Sequence, residues 1–160
     1  MSATTRSQSS ETNLQHDTAI VRNLLQSKGA DVFGLRPQNT LHEAVEMLRD
    51  KKVGALIVKD SEGKLRGILS ERDIVRKLAE TPGQTLAQRV EDVMTTNVET
   101  CELDDPLILV LRKMTDGRFR HMPVIEDGNL VGIVSIGDVV NYRLNELEYE
   151  ALQLKQLIVG

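Results

Sequence analysis

Apolar residues recur at Leu41, Ala44, Val45 and Leu48, the spacing of one helix face, with Thr40 before them as a cap. Gly54-Ala55-Leu56-Ile57-Val58 then reads as a short buried strand and Asp60-Ser61-Glu62-Gly63 as a turn. Leu65 to Ser70 reads as a second strand, and a helix is predicted from about Glu71 to Glu80, ended by Thr81-Pro82-Gly83. Further on, Pro106 opens a helix with Leu107, Val110, Leu111 and Met114 on one face. Phe119 to Ile125 is a predicted strand, Glu126-Asp127-Gly128-Asn129 a turn and Leu130 to Val134 a strand, with a last helix after it. Ahead of all this, Ile20, Val21, Leu24 and Leu25 fall at helical spacing before Gly29. The first residues, to about Asp17, are polar with no apolar period, and the expectation for residues 1–18 is a disordered tail.

The pattern occurs twice. A shift of 66 residues lays Leu41 on Leu107 and Val58 on Val124; after a one-residue deletion in the turn, a shift of 65 lays Gly67 on Gly132, Ser70 on Ser135 and Asp73 on Asp138. Two copies at so long a period predict a pseudo-twofold pair rather than a solenoid, which needs three or more repeats. The expected division is a first repeat with its leading helix over 19–82, a linker over 83–88, a second repeat over 89–145 and a helical extension over 146–160. Within the last helix, Val140, Leu144, Leu147, Ala151, Leu154 and Ile158 step by four and three. Such a heptad seam either folds onto its own module or forms a subunit contact.

Composition narrows the chemistry. In 160 residues, 40% are apolar but only 2% aromatic, so the core must be aliphatic. A net charge of −4 argues against a chain devoted to binding nucleic-acid backbones, and no DNA partner is expected. Cys101 is the only cysteine, which excludes an intramolecular disulfide, suits a cytoplasmic setting and reads as a small strand residue. No apolar run is long enough for a membrane helix.

The repeated Gly67-Ile68-Leu69-Ser70-Glu71-Arg72-Asp73 and Gly132-Ile133-Val134-Ser135-Ile136-Gly137-Asp138 carry the candidate chemistry. Ser–x–x–Asp where a strand enters a helix is a capping box. The same geometry exposes backbone N–H groups to an anion, and its carboxylate can accept ribose hydroxyls. Each copy opens on a glycine, which permits close approach. Cations stand nearby: Arg72 in the first motif, and Arg118, Arg120 and His121 ahead of Met122-Pro123-Val124. They form a candidate phosphate clamp, with His121 able to titrate. No phosphate loop, dinucleotide fingerprint or metal-ligand spacing is present, and nothing positive points to an enzyme.

These motifs, with Arg-Phe-Arg-His-Met-Pro-Val and the preceding Val93-Met94-Thr95, resemble the tandem cystathionine-β-synthase (CBS) domain pair, or Bateman module, in its stand-alone bacterial form. The resemblance covers roughly Ile20 to Gly160. It implies an α/β (α+β) fold of two β-α-β-β-α repeats about a pseudo-twofold axis, with a long C-terminal helix. It also implies two clefts that take an adenine nucleotide (AMP, ADP, ATP or NAD(H)) as a regulatory ligand, and a homodimer acting on an unknown effector protein. By that resemblance Asp73 and Asp138 bind ribose, and Ser70 and Ser135 are the hydroxyls beside them. Gly54-Ala55-Leu56 and His121-Met122-Pro123 contact base or phosphate, and Arg72, Arg118, Arg120 and His121 meet phosphate. Thr95 is a further contact, and its counterpart is Gly29 beside Lys28, a departure that predicts unequal clefts. The other reading is a dimeric interaction scaffold with vestigial clefts.

Overall fold

The computed structural model describes residues 19–159; the expected disordered tail lies outside them. In chain order the elements are α1 (Val21–Lys28), β1 (Gly34–Leu35), α2 (Leu41–Lys51), β2 (Ala55–Lys59), β3 (Leu65–Ser70), α3 (Glu71–Glu80), α4 (Val90–Val93), α5 (Leu107–Gly117), β4 (His121–Glu126), β5 (Asn129–Ser135) and α6 (Ile136–Val159). They gather into two units, each discontinuous in sequence. A sheet unit holds residues 30–101 and 121–133, and a helical unit holds 19–29, 102–120 and 134–159.

In the sheet unit β1 pairs parallel to β2, and β2 antiparallel to β3, with Leu56 opposite Leu69 and Ile57 opposite Ile68. Leu56 and Val58 point into a cluster with Leu41, Ala44, Leu48 and Ile74, while Ala55 and Ile57 point into another with Ile68. A strand covered on both faces has no polar alternation, which is why residues 55–58 are apolar throughout. α2 begins as its sequence predicts: Thr40 Oγ1 accepts the Glu43 N–H at 3.2 Å, and the Glu43 carboxylate accepts the Thr40 N–H at 3.0 Å. The β4–β5 hairpin turns on Asp127 (φ 50) and Gly128 (φ 78), the two positive φ angles of a type I′ turn.

Cys101 takes the part of a whole strand. It bridges parallel to Val124, as Leu35 does to Val58, and is 2% exposed. The second repeat thus keeps the β-α-β-β-α order with its first strand reduced to one bridge. β4 begins at His121, two residues later than the predicted Phe119. Arg118 ends α5 in a left-handed conformation (φ 57), the Phe119 N–H bonds Met114 O at 3.1 Å, and the Phe119 ring folds over Gly117.

The helical unit buries Val21, Leu24, Leu107, Val110, Met114 and Val139, each 5% exposed or less. The N–H groups that open α1 find carbonyls outside it: Val21 bonds Asp105 O at 3.0 Å and Arg22 bonds Leu103 O at 2.9 Å. In the sheet unit Val90 bonds Asn39 O at 2.8 Å and Glu91 bonds Pro37 O at 3.0 Å. Asn39 and Pro37 are the counterparts of Asp105 and Leu103. So α1, which precedes the first repeat in the chain, serves the second, and α4, which precedes the second, serves the first. The expected first repeat with its own leading helix is contiguous in sequence but not in space.

α6 buries little. Val139 is its one buried residue among those described, and the heptad positions Val140, Leu144, Leu147, Leu154 and Ile158 are 44–84% exposed. α6 packs against α1 and α5, but its seam stays largely exposed. Among the described residues, no helix is long and apolar enough to cross a membrane.

Candidate functional site

Each unit carries one Ser–x–x–Asp corner at the point where a strand becomes a helix. In the sheet unit, β3 delivers Ser70 in extended conformation (φ −106, ψ 161) to the start of α3. Asp73 Oδ2 accepts the Ser70 N–H at 2.9 Å and faces Ser70 Oγ at 3.1 Å, while Ser70 Oγ accepts the Asp73 N–H at 3.3 Å. The capping reading of the motif is therefore realised. A third group joins it: the Thr95 hydroxyl lies 3.4 Å from Asp73 Oδ1.

Thr95 reaches Asp73 because its backbone is clamped to β3. The Ile68 N–H bonds Thr95 O at 3.0 Å, and the Thr95 N–H bonds Ile68 O at 2.9 Å. Gly67 makes this approach possible. A Cβ there would stand 2.7 Å from Thr95 O and 2.8 Å from Met94 Sδ. The close approach expected of a ligand at Gly67 is made by the chain's own residues 94–95, and that expectation is corrected accordingly. Beside the same corner, Gly54 O accepts the Glu71 N–H at 3.0 Å, and the His121 ring lies about 3.3 Å from where a Gly54 Cβ would stand.

In the helical unit, Asp138 Oδ2 accepts the Ser135 N–H at 2.9 Å, and Ser135 Oγ accepts the Asp138 N–H at 3.0 Å. Where the first corner has a hydroxyl, this one has an ammonium: Lys28 Nζ donates to Asp138 Oδ2 at 2.6 Å. The two side chains are 28% and 30% exposed. Burial acts to raise the Asp138 pKa, but the Lys28 hydrogen bond, the Ser135 backbone N–H and the Lys28 charge together outweigh it, and the carboxyl titrates below its ordinary range. Arg120 meets the corner through its backbone, its carbonyl accepting the Ile136 N–H at 2.9 Å.

The remaining predicted site residues divide between the units. Arg118, Arg120, Ser135, Asp138 and Lys28 belong to the helical unit; Arg72, His121, Thr95, Ser70, Asp73 and Gly54 belong to the sheet unit. Arg72, Arg118 and Arg120 are exposed and His121 is half-buried. Ala55, Leu56, Met122 and Pro123 are buried, so their side chains are core, and the strand residues can offer a ligand only backbone. Sequence reasoning missed Glu71, whose carboxylate lies about 3.8 Å from the Gly54 Cβ position. Its only signal was the apolar Ile136 at the matching place. Among the described residues no cluster of three His, Cys, Asp or Glu could hold a metal.

The CBS domain profile matches twice, over residues 22–80 and 90–145, the two stretches that carry the two corners. The chain belongs to the CBS-domain family. It is 33% identical over 152 residues to a mitochondrial CBS domain-containing protein of Arabidopsis thaliana, CBSX3, covering 90% of this chain and 74% of that one. Among solved structures it resembles the CBS-domain containing protein ATU1752 from Agrobacterium tumefaciens, with a TM-score of 0.78 and 42% identity over 81% of this chain and 96% of that one. It also resembles the CBS domain pair of protein MJ0100, solved in complex with 5′-methylthioadenosine and S-adenosyl-L-methionine. There the TM-score is 0.72 at 27% identity, over 81% of this chain and 98% of that one.

Proposed function

We propose that the chain is a non-catalytic regulatory module that binds an adenine nucleotide and signals to a partner protein in trans. The observation that carries this reading is the repeated Ser–x–x–Asp corner, in a fold whose relative MJ0100 holds adenosine ligands. At Asp138, the Ser135 and Lys28 bonds both fall on Oδ2, so Oδ1 is left to receive a ribose hydroxyl. Arg118, Arg120, Arg72 and His121 are the cations for phosphate, chosen by charge and exposure.

The route outward is α6. Its first turn holds Asp138, and its 24 residues, about 36 Å of helix, end on exposed apolar side chains. A second copy supplies the nearer contact: a groove of about 300 Å³, lined by Leu107, Ile108, Leu111, Val140 and Leu144, suits a homodimer. The lone buried cysteine fits a reducing compartment such as the cytoplasm.

The test is calorimetry with AMP, ADP, ATP, NAD, NADH and S-adenosylmethionine, on the wild type and on Asp138→Ala. Removing a charged acceptor from a ribose contact should weaken binding at that corner about ten-fold or more. Absence of heat with every ligand would leave the scaffold reading, which the exposed end of α6 favours.

A further inference from the structure

The two corners are built alike and charged oppositely. Arg120 and Gly54 are counterparts, each giving its carbonyl to the first N–H of the helix, at 2.9 and 3.0 Å. Around them Ile136 replaces Glu71, Gly137 replaces Arg72, Lys28 replaces Met94 and Gly29 replaces Thr95. The Asp138 corner therefore sets two cations, Lys28 and Arg120, against one carboxylate. The Asp73 corner sets two carboxylates, Asp73 and Glu71, against Arg72, with the His121 ring beside Gly54. Arg118 and Lys52 also correspond, and as cations on both sides they leave the contrast unchanged.

Resting on the adenosine reading above, we propose that the corners sort adenosine ligands by charge. The Asp138 corner takes those bearing an anionic phosphate, and the Asp73 corner takes uncharged or cationic adenosine derivatives. Lys28 is the selecting residue. Its ammonium is already immobilised on Asp138 at 2.6 Å from the end of α1, so meeting a phosphate costs little further side-chain freedom. A phosphate beside Lys28 and Arg120 gains charge-assisted bonds, whereas beside Asp73 and Glu71 it meets like charge. A neutral nucleoside feels neither field, and at the Asp73 corner the Thr95 hydroxyl can serve it without adding charge.

The experiment is calorimetry at pH 8, above the ordinary histidine range, with AMP, adenosine and S-adenosylmethionine on wild type, Asp73→Ala, Asp138→Ala, Lys28→Met and Lys28→Arg. AMP should bind wild type and Asp73→Ala but not Asp138→Ala, and S-adenosylmethionine should show the reverse. Lys28→Met should weaken AMP about ten-fold or more, the scale of one charge-assisted hydrogen bond, while adenosine changes less than about two-fold. A single cooperative melt of the same Lys28→Met sample shows that the variant is folded. AMP affinity unchanged in Lys28→Met would overturn the proposal, and so would its loss in Lys28→Arg, which keeps the charge, because Lys28 would then be a structural clamp only. So would AMP binding that survives Asp138→Ala and vanishes in Asp73→Ala. If the wild type binds none of the three, the adenosine reading itself falls, a result distinct from the others.

Discussion

Replacing Gly67 by alanine tests how firmly residues 94–95 are seated on β3. The added methyl would stand 2.7 Å from Thr95 O and 2.8 Å from Met94 Sδ, with Met94 Cγ at 3.1 Å. The methionine tail can swing aside, but the Thr95 carbonyl is backbone and is bonded to Ile68 N at 3.0 Å. Reaching an ordinary contact of 3.4 Å requires a displacement of about 0.7 Å. That stretches both Ile68–Thr95 bonds, now 2.9 and 3.0 Å, to or past the limit of useful hydrogen bonding. Two weakened backbone bonds at about 0.5–1.5 kcal/mol each, or equally an overpacking cost of about 1–3 kcal/mol, give an expected loss of about 2 kcal/mol. For a chain of this size the melting temperature should fall by roughly 4–8 °C. Urea titration and thermal melting of G67A against wild type measure it. A change within about 0.5 kcal/mol would refute the reasoning, because it would mean that the clamp yields freely. The same displacement moves the Thr95 hydroxyl off Asp73, so ligand binding at that corner should weaken while binding at Asp138 is kept.

The acid response of the Asp138 corner has a definite sign. Its carboxyl is held below the ordinary range, so it contributes stability that is present above about pH 4, the unfolded carboxylate value, and is lost as pH falls through the lower folded value. The urea-midpoint difference between wild type and Asp138→Asn should therefore be largest near neutrality and shrink below pH 4; a difference independent of pH would contradict the Lys28 pairing. For the homodimer, Leu144→Glu places a charge on an exposed groove residue and should give a monomer by light scattering at micromolar concentration with its melting temperature nearly unchanged. A dimer that persists would move the subunit contact elsewhere.

Much of the fold was legible because local signals agreed. Thr40 and Glu43, the doubly buried run 55–58, and Asp127-Gly128 each name their element through a mechanism that needs no distant partner. What escaped were features decided at a distance. β1 is two residues long and exists only through its pairing with β2; α4 is a single turn, and its opening N–H groups are bonded by Pro37 and Asn39. The site divides the same way. Ser70–Asp73 and Ser135–Asp138 lie three residues apart and could be read directly. The Lys28–Asp138 pair spans 110 residues, and its only trace was the mismatch between Gly29 and Thr95. Gly67 was noticed for the right physical property and assigned the wrong occupant, because sequence shows that room is kept but not what fills it.

The exchange of leading helices sets an order on how the protein can be made. Val21, Leu24 and Leu25 leave the ribosome ahead of everything they bury against, which comes from residues 102–120 and 134–159. At synthesis rates of ~5–20 residues per second, α1 waits on the order of ten seconds with its apolar face uncovered. The sheet unit can assemble most of its core in the meantime, since Leu35 through Val90 arrive in one stretch. The helical unit closes only when α6 emerges, and with it the Lys28–Asp138 corner. A nascent chain halted before residue 138 would hold the Ser70–Asp73 corner complete and lack the carboxylate of the other, so the two corners are made at different times.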